Sequence, residues 1–346
     1  MVEQRQSEAG FTMVELLTAT AITVTVFGLS LTALRGMSDA VDGATLNADL
    51  NVNLRNTLNL MTRDLIAAGG RNIPVGGVPI PSGAGAVPIV RPSPDDALTF
   101  PAGRTIPALT PGDALGPSIG DNPNTLEVEG TPTDLVTILM TDPTLALDSL
   151  PLDSLAADGA SAVVNDAIRI DGNDNGVTPG DLIWLRNGLG NTLVMVTARN
   201  GQTMEFARGD AMNLNQPDAE AGSVTQLLGA AGGPVPPTTA TRVQMITYYL
   251  DVADRSRPRL VRRINVREPR IIGDVIENLQ LSYDLVDGAA NPVNVAAPAN
   301  PGQIRKASLS LAGRSYRPWR RTSSLLRTSV ATQVSLRSLS FVDRYQ

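Results

Sequence analysis

The chain has neither cysteine nor histidine anywhere in its 346 residues. That excludes disulfides, thiol nucleophiles, Ser-His-Asp and Cys-His arrangements, zinc fingers and nearly every transition-metal site. Any metal must be a hard cation held by oxygen. Aromatic residues make up only 3%, too few for an aromatic-anchored ligand pocket, whereas 25 Pro and 31 Gly point to many turns and long loops. Charged residues are 18%, with a net charge of −6, a balance that on average describes a mildly acidic soluble protein. The length leaves room for about two structural units.

The average conceals segregation. From Phe11 to Leu34 the only charge is Glu15, and Arg35 follows at once. A helix needs about 20 apolar residues to cross a bilayer core of about 30 Å, so this run is long enough to span. The ten residues before it are polar, and no small-x-small cleavage site follows it as a secretory signal peptide would require. Glu15 is the anomaly, because a carboxylate at bilayer depth costs at least about 2.5 kcal/mol and normally signals a partner.

The junction Gly10-Phe11-Thr12-Met13-Val14-Glu15-Leu16-Leu17 resembles the type III signal of type IV prepilins and pseudopilins. The resemblance implies that residues 1–10 are a cytoplasmic leader removed by a membrane peptidase between Gly10 and Phe11. It further implies that the new Phe11 amine is N-methylated and that Glu15 becomes the fifth residue of the mature chain. A neighbouring subunit's Glu15 would then neutralise the cationic amine at the lipid-embedded helix end and fix the register between subunits, the alternative being that Glu15, near the helix start, snorkels to the interface. Such leaders are commonly basic; here Arg5 stands against Glu3 and Glu8, so the cytoplasmic placement of the leader rests on the resemblance.

Beyond Arg35 the apolar residues narrow to one stripe, Leu46, Leu50, Leu54, Leu58, Met61 and Leu65, at spacings of four and three. That is an amphipathic helix. No proline interrupts Phe11 to Ile73, so one helix of ~85 Å is expected to about Ala68, ending at Gly69-Gly70, with Gly28, Gly36 and Gly43 as points of softening. The chain thus divides into the leader, a transmembrane half (11–34), an amphipathic half (35–68), a Gly/Pro-rich loop region (69–130) and a head (131–346).

Short β-branched runs separated by Gly, Asn or Asp turns fill the head: 134–140, 167–170, 181–186, 192–198, 203–207, 242–251, 259–266, 279–285, 307–312 and 329–341. Ile271 to Asn278 is read as a short helix. The fold class expected is α+β, a long N-terminal α-helix packed on an antiparallel β-rich head.

Three further segments resemble the larger, PilW-type minor pilins: Met61-Thr-Arg-Asp-Leu-Ile-Ala-Ala-Gly69; Val243-Gln-Met-Ile-Thr-Tyr-Tyr-Leu250 followed by Arg259-Leu-Val-Arg-Arg263; and Gly273 through Asp284. The resemblance implies a minor pilin that initiates or caps a type IV pilus. Its partners would be prepilin peptidase, other pilin and minor pilin subunits, an inner-membrane assembly platform, and the lipid bilayer before assembly. The chain would sit in the inner membrane as a single-pass protein with a periplasmic head, then in a pilus or pseudopilus at the cell surface. A type II secretion pseudopilin is the neighbouring alternative, and a pilus-borne module binding DNA, calcium or a surface a third.

One local pattern carries ligand chemistry. Asp171, Asn173 and Asn175 place oxygens at the first, third and fifth positions of a loop with Gly176 sixth, as in an EF-hand, and Asp181 is placed to supply the missing carboxylate. Calcium is the ion such a set would hold; an ion-free Asx/Gly turn is the alternative. Charge is also segregated: residues 301–346 hold nine basic residues against Asp343, leaving −14 on the rest to reach the total of −6. Complementation of acidic surface is the expected use, with DNA the less favoured one. No spacing of carboxylates singles out a catalytic pair, so no enzyme activity is expected.

Overall fold

The computed structural model describes residues 10–70, 73–74, 76–94, 97–119, 132–172, 176–229 and 235–340. Its first element is α1, Met13–Ile66, one 54-residue helix. The hydroxyls of its apolar half fold back onto carbonyls one turn earlier, as in Thr18 to Val14, Thr23 to Ala19, Thr25 to Ala21, Ser30 to Val26 and Thr32 to Gly28. The helix therefore satisfies its own polar groups without water. At the other end Gly69 (φ 82°) and Gly70 (φ 55°) take left-handed conformations that stop the helix. The Gly69 amide donates to the Leu139 carbonyl at 2.9 Å, and a Cβ on Gly70 would collide with the Thr141 side chain.

The strands are β1 (Val78–Pro79), β2 (Thr105–Ile106), β3 (Leu109–Gly112), β4 (Leu135–Thr141), β5 (Ser154–Leu155), β6 (Ser161–Val163), β7 (Leu182–Asn187) and β8 (Gly190–Met195). They continue with β9 (Ala198–Asn200), β10 (Thr203–Glu205), β11 (Thr239–Asp251), β12 (Arg259–Ile264), β13 (Arg270–Asp274), β14 (Ile276–Leu285), β15 (Ile304–Arg314) and β16 (Arg327–Ser335); a short helix α2 (Arg337–Ser340) follows. Each recorded pairing is antiparallel. The fold is α+β, a long N-terminal helix packed against antiparallel sheets.

The chain divides into two compact units, Met1–Leu50 with Ser315–Leu326, and Asn51–Arg314 with Arg327–Gln346. In the first, the β15–β16 connection lies against α1. The second contains the sheets and the last turns of α1.

The principal sheet has the order β13-β12-β11-β4-β3, with β7 also pairing β11 and carrying β8. β11 runs through its centre and is buried along nearly its whole length. Successive strand residues face opposite ways, which explains the paired tyrosines. Tyr249 packs with Leu135 of β4 and with Val261, its cross-strand neighbour on β12. Tyr248 points to the other face, toward α1. A separate sheet, β14-β15-β16, alternates buried and part-exposed residues, aligning Leu279 with Leu311, Leu281 with Leu309 and Tyr283 with Ala307.

Three local expectations are corrected. Ile271 to Asn278 is not a helix: it forms β13 and the start of β14, as its β-branched content favours. Val275 makes the corner at φ 51°, a strained conformation for a β-branched residue, held because its carbonyl accepts the Arg314 amide at 3.1 Å. Residues 167–170 form no strand; Ile168 and Ile170 are buried core residues on an irregular segment. The last strand ends at Ser335 instead of Phe341 and gives way to α2.

Candidate functional site

The N-terminal junction lies outside the helix. Gly10, Phe11 and Thr12 are exposed and precede α1, with Phe11 88% accessible, and a Cβ on Gly10 would meet nothing within 4 Å. The Gly10–Phe11 bond is therefore open on the described residues around it. Glu15 turns back on the helix start: its carboxylate accepts the Thr12 amide at 3.0 Å and the Thr12 hydroxyl at 2.9 Å, while the Thr12 hydroxyl lies 3.3 Å from the Glu15 amide. This is a reciprocal capping box, and it satisfies orphan donors of the first turn. The sequence signal for it is Thr12-Met-Val-Glu15 ahead of an apolar run. Residues 1–9 lie outside the described residues.

Among the described residues, α1 is long and apolar enough to cross a membrane, with none of its most apolar window buried. From Phe11 to Met37 every residue is exposed. Apolar surface on that scale calls for a lipid or protein cover.

The amphipathic half has its predicted stripe on the inner face: Leu46, Leu50, Leu54, Met61 and Leu65 are buried, and Leu58 is half-buried. Polar residues beside the stripe carry the specific contacts. The Asn53 amide donates to the Asp274 carbonyl at 2.6 Å and its oxygen accepts the Asp274 amide at 3.3 Å, so one side chain mimics a neighbouring strand at the β13 edge. One turn on, the buried Thr57 hydroxyl donates to Ile272 at 2.9 Å. The approach is close enough that a Cβ on Gly273 would lie 2.7 Å from the Thr57 hydroxyl.

At the last turn, Asp64 accepts both the Tyr248 hydroxyl at 2.6 Å and Arg262 Nε at 2.7 Å; Arg262 also reaches the Tyr248 oxygen at 3.2 Å. Asp64 and Tyr248 are buried. Burial and the Asp64 carboxylate push the Tyr248 phenol well above its ordinary range. Burial alone would lower the Arg262 guanidinium, but Tyr248 and Asp64 hold it above its usual value. Asp64, Tyr248 and Arg262 stand in three separate runs of the sequence, and the fold brings them to one point.

Of the four residues of the proposed calcium set, two lie among the described residues. Asn173 and Asn175 lie outside the described residues, and Asp171 is exposed. Asp181 is buried, with one carboxylate oxygen 2.6 Å from Arg267 and the other accepting the Thr178 amide at 3.0 Å and lying 3.7 Å from Arg242. Arg242 also pairs with Asp142 at 3.0 Å. Burial works against the Asp142 charge, yet Thr144, Gln244 and Arg242 together hold its carboxyl below the usual range. Two carboxylates and two guanidiniums thus cancel around this polar cavity, and no group of three or more acidic side chains suited to a metal occurs among the described residues.

Much of the C-terminal positive charge meets acids nearby: Lys306 lies 3.8 Å from Asp284, and Arg314 and Arg327 hold Glu277 at 3.2 and 2.9 Å. Within the first unit, Arg317 grips Asp42 with two nitrogens at 2.5 and 3.2 Å, and Trp319 Nε1 donates to the Asp39 carbonyl at 2.8 Å. The Trp319 ring lies over Gly43, where a Cβ would sit 2.8 Å from it.

Searches of protein-family models, curated proteins and solved structures return no match to this chain.

Proposed function

We propose that this protein is a minor pilin: a membrane-inserted precursor, cut between Gly10 and Phe11, and then built through α1 into a type IV pilus as an initiating or capping subunit. The observation that carries the reading is the contrast along α1. Residues 13–34 are exposed throughout and carry Glu15 as their single charge, whereas the second half of the helix is bound to the sheets by Asn53, Thr57 and Asp64. A helix anchored at one end and bare at the other is suited to lipid storage first and helix–helix packing in a filament later. In the precursor, Glu15 is occupied by Thr12. Cleavage places a cationic amine four residues from that carboxylate, and exchange of the Thr12 contacts for a neighbour's amine supplies a register for assembly. No step in this role calls for catalysis.

Recovery in sheared surface filaments tests the reading. Minor, sub-stoichiometric amounts in the filaments are expected. Presence only in membranes, with loss of secretion on deletion, would mark a pseudopilin of a secretion machine instead.

A further inference from the structure

The loop Ser315–Leu326, SYRPWRRTSSLL, is absorbed neither by the head's packing nor by the assembly role of α1. It contacts α1 just past the apolar stretch. Arg317 binds Asp42, and two residues further along the loop Trp319 binds the Asp39 carbonyl, nearly one helical turn closer to the apolar end. With the Trp319 ring over Gly43 and the Arg320 amide back at Asp42, the loop lies across residues 39–43 of α1, and its turn, residues 320–323, comes next. At 1.5 Å per residue, the contacted residues 39–43 begin about 7 Å beyond Leu34 and end about 14 Å beyond it, so the loop borders the outer edge of the headgroup layer. The headgroup layer outside the hydrocarbon is about 5–7 Å thick. Tyr316 is 59% exposed, Arg320 and Arg321 are exposed, and the Arg321 guanidinium sits 5.8 Å from the centre of the Trp319 ring system.

We propose that this loop is a lipid-headgroup contact, with Arg320 and Arg321 binding anionic phosphate headgroups and Tyr316 and Trp319 seated at the interface, so that it sets how deeply α1 is immersed. Tyrosine and tryptophan favour this layer, and arginines beside it gain from anionic lipid. Arg35 at the end of the apolar run adds a third exposed cation nearer the hydrocarbon. Asp42 does not oppose the contact, because Arg317 and the Arg320 amide already engage it. The inference rests on the membrane-spanning reading of α1.

The test uses the full chain reconstituted in vesicles of phosphatidylcholine with one-quarter phosphatidylglycerol, brominated either close to the headgroup or near the chain end. Trp184, the other tryptophan, is buried, and the Trp319→Phe variant reads its contribution alone. Quenching by the shallow label, about twice that by the deep one, is expected, and Trp319→Phe should abolish it. Exchanging Arg320 and Arg321 for glutamine should weaken the phosphatidylglycerol-dependent part by roughly fivefold per arginine. Co-flotation with vesicles but no quenching would overturn the headgroup contact and leave the spanning helix standing. Failure to co-float would overturn the spanning reading and this contact with it. Equal quenching with and without phosphatidylglycerol would overturn the role of the arginines.

Discussion

Tyr248, in the middle of the central strand, donates its hydroxyl to Asp64 in the last turn of α1 at 2.6 Å, and both are buried. Arg262 closes the group on the same carboxylate oxygen. Removing the carboxylate should leave a half-buried guanidinium without its anion, so Asp64→Ala is expected to cost about 3–5 kcal/mol. Tyr248→Phe, which keeps the ion pair, should cost about 1–2 kcal/mol. Urea unfolding followed by Trp184 fluorescence reads both. The double change Asp64→Leu with Arg262→Met should cost less than Asp64→Ala alone; an additive loss would mean that packing, and not the charge pair, holds the helix end.

Two glycines on α1 are expected to respond oppositely to alanine. Gly36 has open space around its Cβ position, so Gly36→Ala should stabilise the helix by up to about 1 kcal/mol. Gly43→Ala offers the same helical gain but places a methyl group against the Trp319 indole. Displacement of the ring should shift Trp319 emission to the red in Gly43→Ala and leave it unchanged in Gly36→Ala.

The loop clamp has a predictable acid limit. The Arg317 hydrogen bond holds the Asp42 carboxyl below its usual value of 3.8. A group whose value is depressed by folding contributes fully above its unfolded value, and the contribution is lost as pH falls through the lower, folded one. Trp319 emission should therefore be constant from neutral pH down to about pH 4 and change only below it. Asp42→Asn should give the low-pH spectrum at pH 7.

At the β13 edge, Gly273→Val should force the strand away from Thr57 and Asn53, since even a Cβ lies 2.7 Å from the Thr57 hydroxyl. Faster amide exchange at Asp274, whose amide is held by Asn53, is the expected readout.

The helix, its stripe and the antiparallel head were legible because each is a periodicity: proline-free from Phe11 to Ile73, leucines at three and four, short alternating strands. The Gly69-Gly70 stop was legible from composition. The polar contacts were not, because pairs such as Asn53 with Asp274 or Asp64 with Tyr248 are about two hundred residues apart and have no local signature. Residues 271–278 are ambiguous in sequence because four apolar residues among eight fit either period, and the corner at Val275 needs a backbone conformation that its side chain disfavours. The ion pairs of Asp181 with Arg242 and Arg267 have no local signature either, since both arginines come from distant strands and loops. The capping role of Glu15 was a local signal, overshadowed by the stronger motif around it.

The central claim is that the chain is processed at the exposed junction before α1 and assembled through that helix. Mass spectrometry of the protein extracted from membranes of cells with active prepilin peptidase tests it most directly. The account predicts a mature N-terminus at Phe11, heavier by one methyl group than the unmodified residue. An intact Met1 start in the same cells would contradict it.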